Sequence, residues 1–321
     1  MSVDKTFVNA MCISRQKYLL GKEKIVRLLD AASFEEAFRM LGEFGFGESD
    51  VAPLDYERLL FSETVALSSF VATYAPTDEV KAFCLAPRDY LNAEYLLRRQ
   101  RVGLPDVQLA HGLIPLDRLQ KGIDGAYNLL PSSLAAAVKE ASALFDRGAA
   151  TGVAVSALFT RAMYAYLLTT CRSRRVKGYV QWQIDAKNIS IALRSATMQE
   201  LQSMWIEGGK VSFDSLLLLQ KGDRSALDRR FYGTDYSEVV RLALDARQSG
   251  RPLVAYENAV DSAFLRSLLP ERYSVEGLAP FLLYFGYKTN DVFNVRVVLA
   301  GKLAGADKDT IKARLRVSYG E

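Results

Sequence analysis

The sequence predicts an all-α protein built from three related units, and three observations carry that expectation. A pattern of polar residues recurs at intervals of about a hundred positions, and a second pattern keeps the same period. Between the recurrences, apolar residues step by three and four through stretches rich in Ala, Leu, Arg and Glu. No sustained two-residue alternation suggests a large sheet.

The first pattern is Asp-x-x-Asn followed by Leu. It runs Asp89, Asn92, Leu97 with Arg98 behind; Asp185, Asn188, Leu193 with Arg194 behind; and Asp291, Asn294, Leu299, where Ala300 replaces the arginine. The second is Gly112, Ile114, Leu116, Asp117, Leu119, repeated as Gly209, Val211, Phe213, Asp214, Leu216. Both copies of the second follow the first by nearly the same interval. The spacing divides the chain into helical units at 1–109, 110–207 and 208–321.

Helices are expected over 56–75, 134–145, 157–171 and 309–317, with breaks at Gly42/Gly45/Gly47, Gly103/Pro105, Gly208-Gly209 and Gly250/Pro252. Ser33 is placed to cap a helix whose first turn carries Glu35 and Glu36. In the repeated helix the residues three and four beyond each Asn are Tyr95 and Leu96, Ile191 and Ala192, Val297 and Val298. Each Asn therefore lies on the apolar stripe, where its amide needs partners. The favoured role is a core hydrogen bonder; contact with a ligand or partner is the other. Each Asp is expected near a helix start, with Pro87 in the first turn of the first copy and Arg98 and Arg194 near the ends.

Composition excludes little. Half the residues are hydrophobic and 24% charged, and the balance of +4 is too mild to indicate nucleic-acid or lipid binding by itself. Cys12, Cys84 and Cys171 lie far apart with no CxxC, and read as reduced thiols of a cytosolic protein. The opening stretch carries Asp4 and no long apolar run, so it does not read as an export signal. The apolar stretches 64–77, 148–160 and 277–287 are too short to cross a bilayer, so no membrane span is expected.

Active-site chemistry is sparse. His111 is the one histidine and reads as a turn residue, without companions for a zinc site or a triad. No phosphate-binding G-x-x-x-x-G-K-[ST] occurs, and Gly42/Gly45/Gly47 read as a helix stop. No cofactor, metal or catalytic residue is expected. One charge cluster remains: Arg172, Arg174, Arg175 and Lys177. It reads as a helix C-terminus before Gly178 or as a docking patch for an acidic partner or lipid headgroups.

Three ordered segments carry a family resemblance. The start has Arg15, Lys17, Leu19-Leu20, Leu28-Leu29, Ala31, Ser33, Glu35-Glu36-Ala37 and Leu41. The middle has Ile184-Asp185, Asn188-Ile189 and Leu193-Arg194. The tail has Asn294-Val295-Arg296, Val298-Leu299, Gly301-Lys302, Ile311 and Leu315. Together these resemble the C/d subunit of V-type and archaeal-type rotary ATPases across nearly the whole chain. The resemblance implies three similar helical subdomains around a pseudo-threefold axis, forming a funnel-like socket. It also implies a peripheral place on the cytoplasmic side of the membrane, with the central shaft and the proteolipid ring as partners, and no nucleic acid. The implied role is non-catalytic transmission of torque. From the residues alone, a helical adaptor or scaffold, a helical enzyme and a nucleic-acid binder stay open as alternatives.

Overall fold

The computed structural model describes residues 4–47, 51–250 and 252–320, and every regular element among them is helical. The chain opens with α1 (Lys5–Arg15), α2 (Gly21–Asp30), α3 (Phe34–Glu43) and α4 (Tyr56–Tyr74). It continues through α5 (Asp78–Val102), α6 (Leu116–Ile123), α7 (Ser132–Asp146), α8 (Gly152–Thr170) and α9 (Arg174–Arg194). Shorter helices follow: α10 (Met198–Met204), α11 (Phe213–Lys221), α12 (Arg224–Phe231) and α13 (Ser237–Gln248). The last three are α14 (Val254–Leu268), α15 (Ala279–Leu303) and α16 (Lys308–Lys312). Arg251, inside the Gly250/Pro252 break, lies outside the described residues.

Two compact units result. One joins the two ends of the chain, Met1–Thr77 with Val254–Glu321; the other is the continuous stretch Asp78–Leu253. In the first, Val292, Val295, Val298 and Leu299 of α15 pack with Leu28 and Leu29 of α2, Phe34, Ala37 and Leu41 of α3, and Leu59 and Leu60 of α4. Within the second, Tyr90, Ala93, Leu96 and Leu97 of α5 pack with Leu119 of α6, Leu134 and Val138 of α7, and Val155 and Phe159 of α8. Each buried set recurs at three- and four-residue steps, so one stripe of each helix faces its core.

Local signals fix several boundaries. Ser33 Oγ accepts from the Glu36 N–H at 3.1 Å while the Glu36 carboxylate accepts from the Ala32 N–H, so α3 starts where the sequence expects. It stops at Glu43, with Gly45 in the left-handed region at φ 68°. Thr197 and Glu200 form a complete capping box on α10.

Other boundaries depart from expectation. α5, α9 and α15 start well before the repeated motif, and Asp89, Asp185 and Asp291 sit at mid-helix rather than in a first turn. Pro87 is interior to α5. Burial of the apolar stripe along each of these helices outweighs the weak preference of a carboxylate for a helix start. Arg174, Arg175 and Lys177 occupy the beginning of α9, not a helix end, and Gly178 continues that helix. The helix expected over 309–317 is only the short α16, because the chain beyond it pairs with Asn294 instead. α8 extends beyond the apolar stretch 148–160, and among the described residues it alone is long and apolar enough to cross a membrane. Its apolar window is 28% buried, through packing on α5, α7 and α9.

Candidate functional site

The two sequence patterns meet in space. On α5, the Asp89 carboxylate accepts from the Leu113 and Ile114 N–H groups at 2.9 and 3.1 Å, while Asn92 donates to the Ala110 carbonyl at 2.9 Å. On α9, Asp185 accepts from the Lys210 and Val211 N–H groups at 3.0 and 2.9 Å. Asn188 donates to the Ile206 carbonyl at 2.8 Å and accepts from the Ile206 N–H at 2.9 Å. Three residues apart on one helix, the Asp and the Asn project to the same side, and each pair clamps a non-helical connecting segment against its helix.

Glycine makes the clamp possible. A Cβ on Gly112 would collide with Asp89 Oδ1 and lie 2.6 Å from its Cγ; one on Gly209 would collide with Asp185 Oδ1 and lie 3.0 Å from its Cγ. Only a bare Cα lets the backbone come close enough for the next two N–H groups to reach the carboxylate. That is why the two patterns hold a constant interval, a link that the sequence shows only as spacing.

The third clamp draws on both ends of the chain. Asn294 donates to the Arg316 carbonyl at 3.0 Å and accepts from the Arg316 N–H at 2.8 Å. Asp291 accepts from the Leu20 N–H at 3.0 Å, across 271 positions of sequence. Its other carboxylate oxygen has no hydrogen-bond partner. No local signal names Leu20, because the contact skips nearly the whole chain. No motif points to Tyr236 either: its hydroxyl donates to Asp185 Oδ2 at 2.5 Å, and its ring stacks on Trp182.

All six motif side chains are buried. Burial pushes the Asp89 carboxyl up to about 6, against the opposing pull of the Ile114 and Leu113 N–H groups, His111 and Arg88. Burial pushes Asp291 up to about 6 as well, opposed by the Leu20 N–H, Lys288 and Lys24 and reinforced by Glu63. Burial, with Asp185 beside it, pushes the Tyr236 hydroxyl strongly upward. These carboxylates are engaged with backbone donors, an arrangement suited to holding helices and loops in fixed register.

The remaining sequence-derived candidates lie elsewhere. Arg98 donates to the Gly152 carbonyl at 2.6 Å and pairs with Glu94 at 3.3 Å, tying α5 to the start of α8. Arg194 is the exposed last residue of α9. Arg172, Arg174, Arg175 and Lys177 are all exposed around the α8–α9 connection. His111 is half-buried in the segment that Asp89 clamps. Among the described residues no group of three or more His, Cys, Asp or Glu side chains could hold a metal ion.

Known proteins resemble this chain. The family model described as ATP synthase (C/AC39) subunit matches residues 8–314. The C subunit of the A-type ATP synthase of Methanocaldococcus jannaschii is 20% identical over 348 residues, covering 96% of this chain and 85% of that protein. Its namesake from Halobacterium salinarum is 27% identical over 216 residues, covering 65% of this chain and 52% of that protein. The namesake from Haloferax volcanii is 26% identical over 163 residues, covering 48% of this chain and 47% of its own length. The chain thus spans about half the length of the two halophile relatives and most of the methanogen one. The family match takes in all three Asp-x-x-Asn helices, α5, α9 and α15, and the chain belongs to the ATP synthase (C/AC39) subunit family.

Proposed function

We propose that this chain is a non-catalytic coupling subunit of an A/V-type rotary ATPase. In this reading it sits peripherally on the cytoplasmic side of the membrane. It joins the central shaft to the proteolipid ring and carries torque between them for ion transport. The observation that carries the reading is the family match over residues 8–314, which takes in all three clamped helices. A part that passes torque must keep its helices in register under load. Buried carboxylate and amide pairs fixed to backbone groups support that demand better than apolar packing alone, because they are directional.

The proposal includes three related units arranged about a pseudo-threefold axis as a socket, each centred on one Asp-x-x-Asn helix. The units proposed from the sequence are 1–109, 110–207 and 208–321. The third clamp supports one refinement, that the last unit is completed by the first residues of the chain.

The test is affinity purification of the tagged full chain from mildly solubilised membranes of its own source, with partners identified by mass spectrometry. Recovery of a proteolipid, a shaft subunit and ATPase head subunits is the expected result. Recovery of the chain alone, or with unrelated proteins, would overturn the coupling role.

A further inference from the structure

The turn after α3 is fastened by a cation that stands beside the third clamp. Lys288, three residues before Asp291 on α15, pairs with Glu63 of α4 at 2.5 Å, and its Nζ lies 4.6 Å from the centre of the Phe46 ring. Glu63 Oε1 also accepts from the Gly47 N–H at 2.8 Å. Gly47 is left-handed at φ 79°, and a Cβ there would fall 2.4 Å from Leu59 Cγ, so the turn rests directly on α4. The Lys288 and Glu63 side chains are only 15% and 14% exposed, so water screens their attraction little. Together they hold Phe46 and Gly47 in place.

Asp291 is fully buried and unevenly satisfied. One oxygen accepts from the Leu20 N–H, while Oδ1 has no hydrogen-bond partner among the described residues. A neutral carboxyl tolerates that site better than an ionised one, whose unpaired oxygen would carry charge without water. Burial pushes the carboxyl up to about 6, which brings its ionisation close to neutral pH.

The charged groups that act on Asp291 are Lys288 from α15, Lys24 from α2 and Glu63 from α4. Lys24 is engaged at the Leu19 carbonyl at 3.4 Å and lies 5.7 Å from the centre of the Phe44 ring. Other helices packed on α15 hold charges with partners of their own. Arg15 of α1 lies over Phe70, Arg39 of α3 pairs with Glu43, Asp261 of α14 with Arg316, and Lys308 of α16 with Asp30. Positions three apart on a helix are neighbours, so Lys288 is the cation that a change of side-chain rotamer brings to Asp291.

We infer that Lys288 is the moving part of a pH-driven switch. With Asp291 protonated, Lys288 holds Glu63 and the turn at Phe46 and Gly47; with Asp291 ionised, it turns to Asp291 Oδ1 and frees that turn. One proton leaves Asp291 for solvent as the switch is thrown. The device does not depend on the coupling role.

The experiment is hydrogen exchange of the full chain at pH 5.5 and 7.5, corrected for the intrinsic pH dependence, with amides of α7 as reference. Exchange at Gly47, whose N–H is the donor to Glu63, should quicken by up to about tenfold per pH unit above the Asp291 midpoint. Equal quickening along α15 would mean general loosening and overturn the switch. Asp291→Asn keeps an oxygen for Leu20 and cannot ionise, so its Gly47 should exchange slowly at both pH values. Lys24→Met should keep the wild-type step. Persistence of the step in the first variant, or its loss in the second, would count against Lys288 as the moving part. The wild type gives an answer that needs no variant: in carboxyl-carbon NMR the Glu63 signal should shift at the Asp291 midpoint, and a Glu63 signal indifferent to it sinks the inference. Partner recovery from membranes reads the coupling role separately, so each idea can fail alone.

Discussion

At the scale of single residues, the two clamp glycines make the sharpest claim. Gly112 and Gly209 have ordinary backbone angles, so a methyl group at either is opposed by contact alone. Gly112→Ala and Gly209→Ala should each lose about 1–3 kcal/mol in urea unfolding, as overpacked sites do. Gly178→Ala, in α9 with open space around it, should instead gain about 0.5–1 kcal/mol. Asn188→Leu should lose about 1–3 kcal/mol, since both polar groups of Ile206 would be left unpaired. Melting at or above the wild-type temperature would remove the clamp as a stabilising device. The buried carboxylates add a pH signature. Asp89 and Asp291 are pushed up to about 6 from 3.8, so the folded chain holds these protons more tightly than the unfolded chain does. Their contribution to stability is complete below 3.8 and is lost as pH rises through about 6. Raising the pH from about 5 to about 7 should cost on the order of 1 kcal/mol per group, and Asp89→Asn should remove its share of that slope. A wild-type midpoint that does not move across this interval would mean that the backbone donors outweigh burial.

At the scale of elements, helical character and period were legible, but the limits of the key helices were not. Local rules put Asp89 and Pro87 at a helix start, because a carboxylate and a proline each suit a first turn. Those preferences are worth less than the burial of a full apolar stripe, and α5 runs from Asp78 straight through Pro87. The clamp partners lie some 18 to 26 positions beyond their motif in two copies, a spacing visible but not interpretable without the fold. The tail residues Gly301 and Lys302 belong to the same class. A Cβ on Gly301 would lie 2.6 Å from Ile311 Cγ1, so glycine lets α16 rest directly on α15. Lys302 Nζ then donates to the Leu29 carbonyl at 3.0 Å and to the Ala31 carbonyl, satisfying the end of α2. Lys302→Met should therefore cost about 1–2 kcal/mol in chemical denaturation. Lys312→Met, on exposed α16, should stay within about 0.5 kcal/mol of wild type and serves as its control.

At the scale of the whole molecule, the fold depends on bringing the chain's ends together. The Lys22 N–H donates to the Tyr319 carbonyl at 3.1 Å, and the Leu20 N–H donates to Asp291. Arg296 pairs with Glu57 at 2.9 Å, Lys288 with Glu63 at 2.5 Å, and Lys308 with Asp30. Unlike α5 and α9, α15 is clamped partly by residues that precede it by most of the chain, so its buried face has no sufficient partner among its neighbours in sequence. The sequence period suggested a third unit at 208–321, and that boundary can be tested directly. A fragment of residues 208–321 should show weak helicity and no cooperative melt, because it lacks α1 to α4 and leaves the α15 stripe open to water. A fragment of residues 254–321 mixed with one of residues 1–77 should instead form a one-to-one complex. Its helicity should rise on mixing, and amides of α15 should become protected from hydrogen exchange only in the complex. Replacing Asp291 with Ala in the 254–321 fragment should weaken that association, since the Leu20 N–H would lose its acceptor. A cooperative melt of 208–321 alone would show that the third unit closes on itself, and that the N-terminal residues decorate a finished fold rather than complete it.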